Sequence, residues 1–184
     1  MFHQPELETK FAHSDTPLSL SDDTRIQGYA SRFGEVDQGG DLVMPGAYQS
    51  SLQKLSEGGR KVKMLWQHDP AQPIGVWDEV REDEAGLWVS GRLLRETQRG
   101  AEAIALIQAG ALDGLSIGYR TRRSTKTKEG QRQLLQVDLW EVSLVTFPML
   151  PSARVTDAQA KSRDDNSDQL AHALRQASRA LAEM

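Results

Sequence analysis

The sequence predicts a mixed α+β fold with a largely antiparallel sheet or barrel, and two observations carry that expectation. Strand-like runs come in blocks separated by two helical stretches, which is not the strict strand–helix alternation of a parallel α/β protein. Two of the runs, PIGVWDEVRE (73–82) and GLWVSGRLL (86–94), are joined only by Asp83-Glu84-Ala85 and so read as an antiparallel hairpin.

The elements follow in order. Residues 1–23 are polar and aperiodic and are expected to form a flexible N-terminal arm. TRIQGYASRF (24–33) is rich in β-prone residues and reads as a first strand, followed by the turn-rich GEVDQGGD. In LVMPGAYQSSLQKL (42–55), Pro45 suits a first helical turn, and Tyr48, Leu52 and Leu55 recur at helical spacing. Gly58-Gly59 stops that helix. KVKMLWQH (61–68) and the hairpin supply three strands. Thr97 is placed to cap a helix over QRGAEAIALIQAG, with Ile104 and Ile107 facing the core and Gly110 ending it. GLSIGYRTR (114–122) and RQLLQVDLWEVSLVTFP (132–148) are β-rich. Alternation in the last strand puts Trp140, Val142, Leu144 and Thr146 on one face and Glu141, Ser143 and Val145 on the other. Trp66, Trp77, Trp88 and Trp140 all fall in strands and read as core anchors. Beyond Pro151 the chain turns polar and linker-like, and Leu170, Leu174, Ala177 and Leu181 then form one narrow apolar stripe of a terminal helix.

Composition limits the chemistry. At 184 residues, the chain suits one domain of about 150 residues plus a tail. The net charge of −4 argues against bulk attraction to nucleic acid. With no cysteine, disulfides, thiolate catalysis and cysteine-based zinc sites are excluded. The first twenty residues hold no apolar signal region, and no run approaches a membrane span, so the chain is expected to be soluble and intracellular. No H-E-x-x-H is present, and DQGGD lacks the ligand spacing of an EF-hand loop, so neither a metal nor another cofactor is expected.

One motif asks for a catalytic reading. Gly114-Leu115-Ser116-Ile117-Gly118 fits the G-x-S-x-G pattern of a nucleophile elbow, although a serine between glycines is often only a tight turn. An α/β-hydrolase needs a helix after the serine and then an acid and a histidine. Here TRRSTKT follows, and the only later histidine is His172 in the tail, so that reading fails. His3 and His13 lie in the arm. This leaves His68, at the end of a strand, as the base candidate, against the plainer reading of a hydrogen-bonded surface histidine. Glu141, flanked by Trp140 and Val142, is either solvent-facing or paired, because a buried lone carboxylate is costly. Asp138 competes with it for the role of orienting acid, and Asp113 is more simply a turn residue.

Five motifs in this order resemble the prohead (capsid maturation) proteases of tailed phages, related in fold to the herpesvirus assembly proteases. They are GYASRFGEVDQGGDLVMPGAY, MLWQHDPAQPIGVW, GLWVSGRL, GALDGLSIGYR and LWEVSLVTFPMLPSARV, spanning roughly residues 24–155, the stretch expected to form the protease domain. The resemblance implies a serine endopeptidase with Ser116 as nucleophile and His68 as base. It puts the acidic third member of the phage branch at Glu141, where the herpesvirus relatives have histidine. It implies a compact, mostly antiparallel β-barrel surrounded by helices. By analogy, Arg154 and nearby backbone N–H groups would serve the oxyanion. The family often reads PAN or PAY after the last strand, whereas this chain has Pro148-Met149-Leu150. Implied substrates are the scaffold, or a scaffold-like segment of the major capsid protein, and the chain itself. The implied setting is the assembling prohead in the host cytoplasm. The competing class is a non-enzymatic capsid-assembly or scaffolding protein on a protease-like domain.

Two features remain. RTRRSTKTKEGQR (120–132) carries six cations against Glu129 but no aromatic residue, so a solvated hairpin loop comes first, contact with an acidic scaffold second and DNA last. Residues 156–184, polar linker and terminal helix, could dock on the barrel, pair with a second copy as a homodimer, bind scaffold, or be removed by self-cleavage.

Overall fold

A computed structural model describes residues 8–11, 19–21, 24–37 and 39–146. Four strands come first: β1 (Glu8–Phe11), β2 (Ser19–Ser21), β3 (Arg25–Arg32) and β4 (Asp41–Val43). Helix α1 (Gln49–Glu57) precedes β5 (Lys63–Trp66), β6 (Asp69–Glu82) and β7 (Gly86–Leu93). Helix α2 (Gln98–Gln108) leads into the long pair β8 (Gly114–Lys126) and β9 (Arg132–Val145). All the strands belong to one sheet ordered β1-β8-β9-β5-β6-β7-β3-β2, with β4 beside β9. Six of its eight pairings are antiparallel, and only β4 and β5 run parallel, both to β9. The sheet curls until β3 touches β8. The molecule is thus a curled half-barrel flanked by two helices among the described residues, rather than a closed barrel ringed by them. Ile26, Ile74, Trp77, Leu87, Val89, Ile117, Tyr119, Val142 and Leu144 fill its concave side. The Trp77 indole N–H donates to the Val142 carbonyl at 3.2 Å, tying β6 to β9 across the core.

Several elements form as expected. The Thr97 hydroxyl accepts from the Gly100 N–H at 3.0 Å, so α2 is capped, and Gly110 ends the turn at φ +70°. The 73–82 and 86–94 runs pair antiparallel.

Others differ, each for a physical reason. Helix α1 starts after Pro45 and not at it. Gly46 stands at φ +88°, outside helical space, and Asp41–Val43 is claimed by the ladder with β9. The Glu82 carboxylate accepts from the N–H groups of Gly46 (2.6 Å) and Tyr48 (2.9 Å), fixing the turn that enters α1, whose N-cap Tyr48 makes no side-chain capping bond. Within the stretch expected to be a loose arm, β1 and β2 join the sheet. Glu8 secures β1: it accepts from the Thr121 N–H at 3.1 Å and pairs with Arg132 at 2.6 Å. Asp41 also hydrogen-bonds Arg132, and against the opposing effect of burial the two carboxylates hold its guanidinium above its usual pKa.

Trp140 corrects the simple alternation. Gly118 pairs with Glu141 and Tyr119 with Leu139, so Trp140 is the extra residue of a β-bulge. The bulge keeps Leu139 and Val142 both inward, while Trp140 is left 50% exposed. Of the four tryptophans only Trp77 is a buried anchor, and Trp66 and Trp88 are part-buried. No helix among the described residues is long and apolar enough to cross a membrane. Arg154, His172 and the predicted tail helix lie outside the described residues.

Candidate active site

The site forms on the face of the β8–β9–β5 ribbon opposite the side chains of Ile117 and Val142. Cross-strand partners share a face, and β8 and β9 align Ser116 with Ser143 and Gly118 with Glu141. Ser116 and Ser143 therefore carry Cβ atoms about 4.5–5.5 Å apart. Ile117 and Val142, their neighbours, point the other way into the core. The serine thus sits inside an extended strand, with no helix behind it, and the elbow geometry is absent, as the sequence indicates.

His68 comes from the tip of the β5–β6 hairpin. Trp66 pairs with Asp69, so Gln67 and His68 form a two-residue loop, and both have positive φ (50° and 62°). Left-handed conformations at two non-glycine residues cost about 1–3 kcal/mol each and persist only where the surroundings hold them. Here they are held. The Gln67 N–H donates to the Leu144 carbonyl at 3.0 Å, its side chain donates to Thr146 at 2.6 Å, and the His68 N–H donates to the Ser143 hydroxyl at 3.1 Å.

The turn aims the imidazole at the sheet face. His68 Nδ1 lies 2.6 Å from Glu141 Oε1, with side-chain exposures of 19% and 6%. A carboxylate there fixes the proton on Nδ1 and leaves Nε2 as the basic nitrogen. Ser143 donates to the other Glu141 oxygen at 2.6 Å. One serine hydroxyl therefore holds both the Glu141 carboxylate and the His68 backbone. Asp138, the rival acid, is engaged by Arg122 instead.

The second glycine of the motif also finds its reason. A Cβ at Gly118 would stand 2.8 Å from Glu141 Cδ and 2.9 Å from Cγ. G-x-S-x-G here is a clearance for the carboxylate, not an elbow. Gly118→Ala is therefore expected to displace Glu141 and lower cleavage about 10²-fold or more, measured as kcat beside a melting curve that falls modestly.

Sequence reasoning missed Ser143. The signal was its place two residues after Glu141 on the same strand face, which only the β8 register turns into a contact. Ser143→Ala leaves a buried Glu141 oxygen without its donor, and a hydrogen bond to a charged group is worth about 1.5–3 kcal/mol. The expected loss is about 10- to 100-fold in kcat/KM. Steady-state kinetics on a peptide substrate would read it.

Ser116 has no exposed surface in this state. Strand β1 runs along the outer edge of β8, with Phe11 opposite Ser116 in the ladder. Among the described residues no cluster of three or more His, Asp or Glu side chains could hold a metal ion.

Known proteins give the geometry its context. Residues 12–168 match the family described as caudovirus prohead serine protease. The prohead protease of Enterobacteria phage HK97 is 31% identical over 166 residues, covering 87% of this chain and 72% of that protein. The capsid polyprotein of Pseudomonas phage PAJU2 is 27% identical over 170 residues, covering 88% of this chain but 24% of the polyprotein. Among solved structures, the bacteriophage T4 capsid assembly protease superimposes with a TM-score of 0.61 at 16% identity, covering 79% of this chain and all of that one (100%).

Proposed function

This chain belongs to the caudovirus prohead serine protease family, and on that premise we propose that Ser116, His68 and Glu141 are its nucleophile, general base and orienting acid. Its activity is that of a serine endopeptidase of phage capsid maturation. The observation that carries the residue assignment is the 2.6 Å contact of His68 Nδ1 with Glu141, on the sheet face that also bears Ser116. His68 Nε2 takes the Ser116 proton as the hydroxyl oxygen attacks a peptide carbonyl. The imidazolium, stabilised by Glu141, then protonates the leaving amine. Water attacks the acyl-enzyme by the same path in reverse and frees Ser116. The oxyanion needs donors worth a few kcal/mol, about 2.7–4 for one such group, and Arg154 with its neighbouring N–H groups keeps that assignment.

The finer parts of the reading follow from the family. The curled sheet supports kinship in fold with the herpesvirus assembly proteases. The domain limits are proposed as 24–155 for the protease domain, with β1 and β2 of the 1–23 stretch added to its sheet, and a linker with helix over 156–184. Major capsid protein and scaffold are the expected substrates, with the chain itself, inside the assembling prohead in the host cytoplasm. A homodimer through the tail helix is part of the same reading, and nucleic acid is not. Intact-mass analysis of the chain co-expressed with its cognate major capsid protein tests it. Both proteins are expected to lose discrete segments. If both stay full-length while shells assemble, a non-enzymatic assembly role replaces the protease reading.

A further inference from the structure

A cavity of about 360 Å³ lies beside the site, between α1 and the bulged part of β9. Its rim carries Lys54, Arg60, Lys61, Lys63 and Arg122. Among the described residues the one carboxylate lining it, Asp138, is already paired with Arg122. Four further cations thus converge on one groove in a chain whose net charge is −4. Trp140 forms part of the wall and is half exposed, with the Arg120 guanidinium 5.8 Å from its ring centre. An indole left in water forgoes stabilisation that burial would give, and exposed tryptophan beside cations is the composition of a binding hot spot.

The groove and the active site share strands β5 and β9. Trp140 follows Glu141 backwards along β9, and Lys63 lies directly opposite Glu141 in the β5–β9 ladder. Ser116 and Arg120 stand on the same face of β8, four residues apart, and Arg120 pairs with Asp138 on the rim. At about 3.3 Å per residue, the level of Asp138 in the groove lies about 13 Å along the ribbon from the nucleophile.

We propose that this groove binds an acidic stretch of the polypeptide substrate, with Asp or Glu about four residues from the scissile bond. The inference rests on Ser116 being the nucleophile, since the distance is counted from it. A peptide fits better than a single-stranded nucleic acid. Trp140 is the one aromatic side chain lining the groove among the described residues, whereas a strand of stacked bases uses a series of them.

Binding of a fluorescent-labelled peptide to the full-length Ser116→Ala chain tests the proposal without depending on turnover. The probe is a peptide spanning a cleavage site mapped by mass, made with Glu or with Gln three to five residues from the scissile bond. The Glu peptide is expected to bind about 10-fold tighter, to lose that advantage at high salt, and to lose it in a Lys61→Gln/Lys63→Gln variant. In the otherwise unaltered enzyme the same double substitution is expected to raise KM for the Glu peptide and leave kcat unchanged, with the Gln peptide as an internal control on folding. Equal binding of the two peptides, or a Glu preference that survives the double substitution, overturns the proposal. So does a single-stranded oligonucleotide that outcompetes the Glu peptide and loses its affinity in Trp140→Ala. Continued cleavage by Ser116→Ala would instead defeat the catalytic assignment, a result read in a separate assay.

Discussion

Replacing Ser116 by alanine is expected to lower peptide cleavage by about 10⁶-fold while leaving the melting temperature nearly unchanged. The serine side chain is fully buried between β-strands, so removing one oxygen creates little void and no strain. The chemical loss is total for the covalent route. Without Oγ no acyl-enzyme forms, and His68 has no proton to take. Purified variant and wild-type chains, compared on the same peptide with their thermal unfolding curves, would check both halves. A variant that still cuts within 10²-fold of wild type would put the nucleophile elsewhere.

Glu141→Gln should be nearly as damaging, by about 10⁴-fold, for a subtler reason. The substitution preserves shape, and the pocket cleared by Gly118 accepts it. What changes is the hydrogen-bond code at His68 Nδ1. A carboxylate only accepts, so the ring must carry its proton there. An amide can turn its NH₂ towards Nδ1, which moves the ring proton to Nε2 and removes the basic lone pair from that nitrogen. Ser143 strengthens the effect: as donor to the other oxygen it favours the carbonyl oxygen on its side, which points the NH₂ at the histidine. Cleavage kinetics should therefore show a drop in kcat with little change in KM. Rescue of activity by Glu141→Asp above the level of Gln would support the charge argument. Gln at wild-type rate would reduce Glu141 to a packing residue.

Much of the proposed site was legible in the chain, because elimination worked on few candidates. With four histidines, two in the polar arm and one in the tail, His68 remained as the base candidate. The failure of the elbow reading also held, since β8 stays extended through Lys126. The residues alone left Glu141 and Asp138 open, with only the resemblance favouring Glu141, and they gave no reason for Gly118. Both depend on the β8–β9 register, and one bulged residue changes which side chains face each other. Periodicity assumes an unbroken ladder, so it sent Trp140 inward. The bulge turns Trp140 out and leaves the basic groove beside it. The start of α1 was hidden for a related reason, because the turn that enters it is fixed by Glu82, 34 residues from Tyr48 in sequence. The strained Gln67-His68 turn carried no local signature, since its cost is met by bonds to residues on β9 and just beyond it.

The central claim is that Ser116 is a nucleophile activated by His68. Localising the covalent adduct of a serine-directed fluorophosphonate by fragment mass spectrometry tests it most directly. One adduct on Ser116 is predicted, formed in step with the loss of cleavage and not formed by a His68→Ala chain. A fully inactivated chain labelled at another residue, or one that still cleaves with Ser116 quantitatively modified, would contradict it.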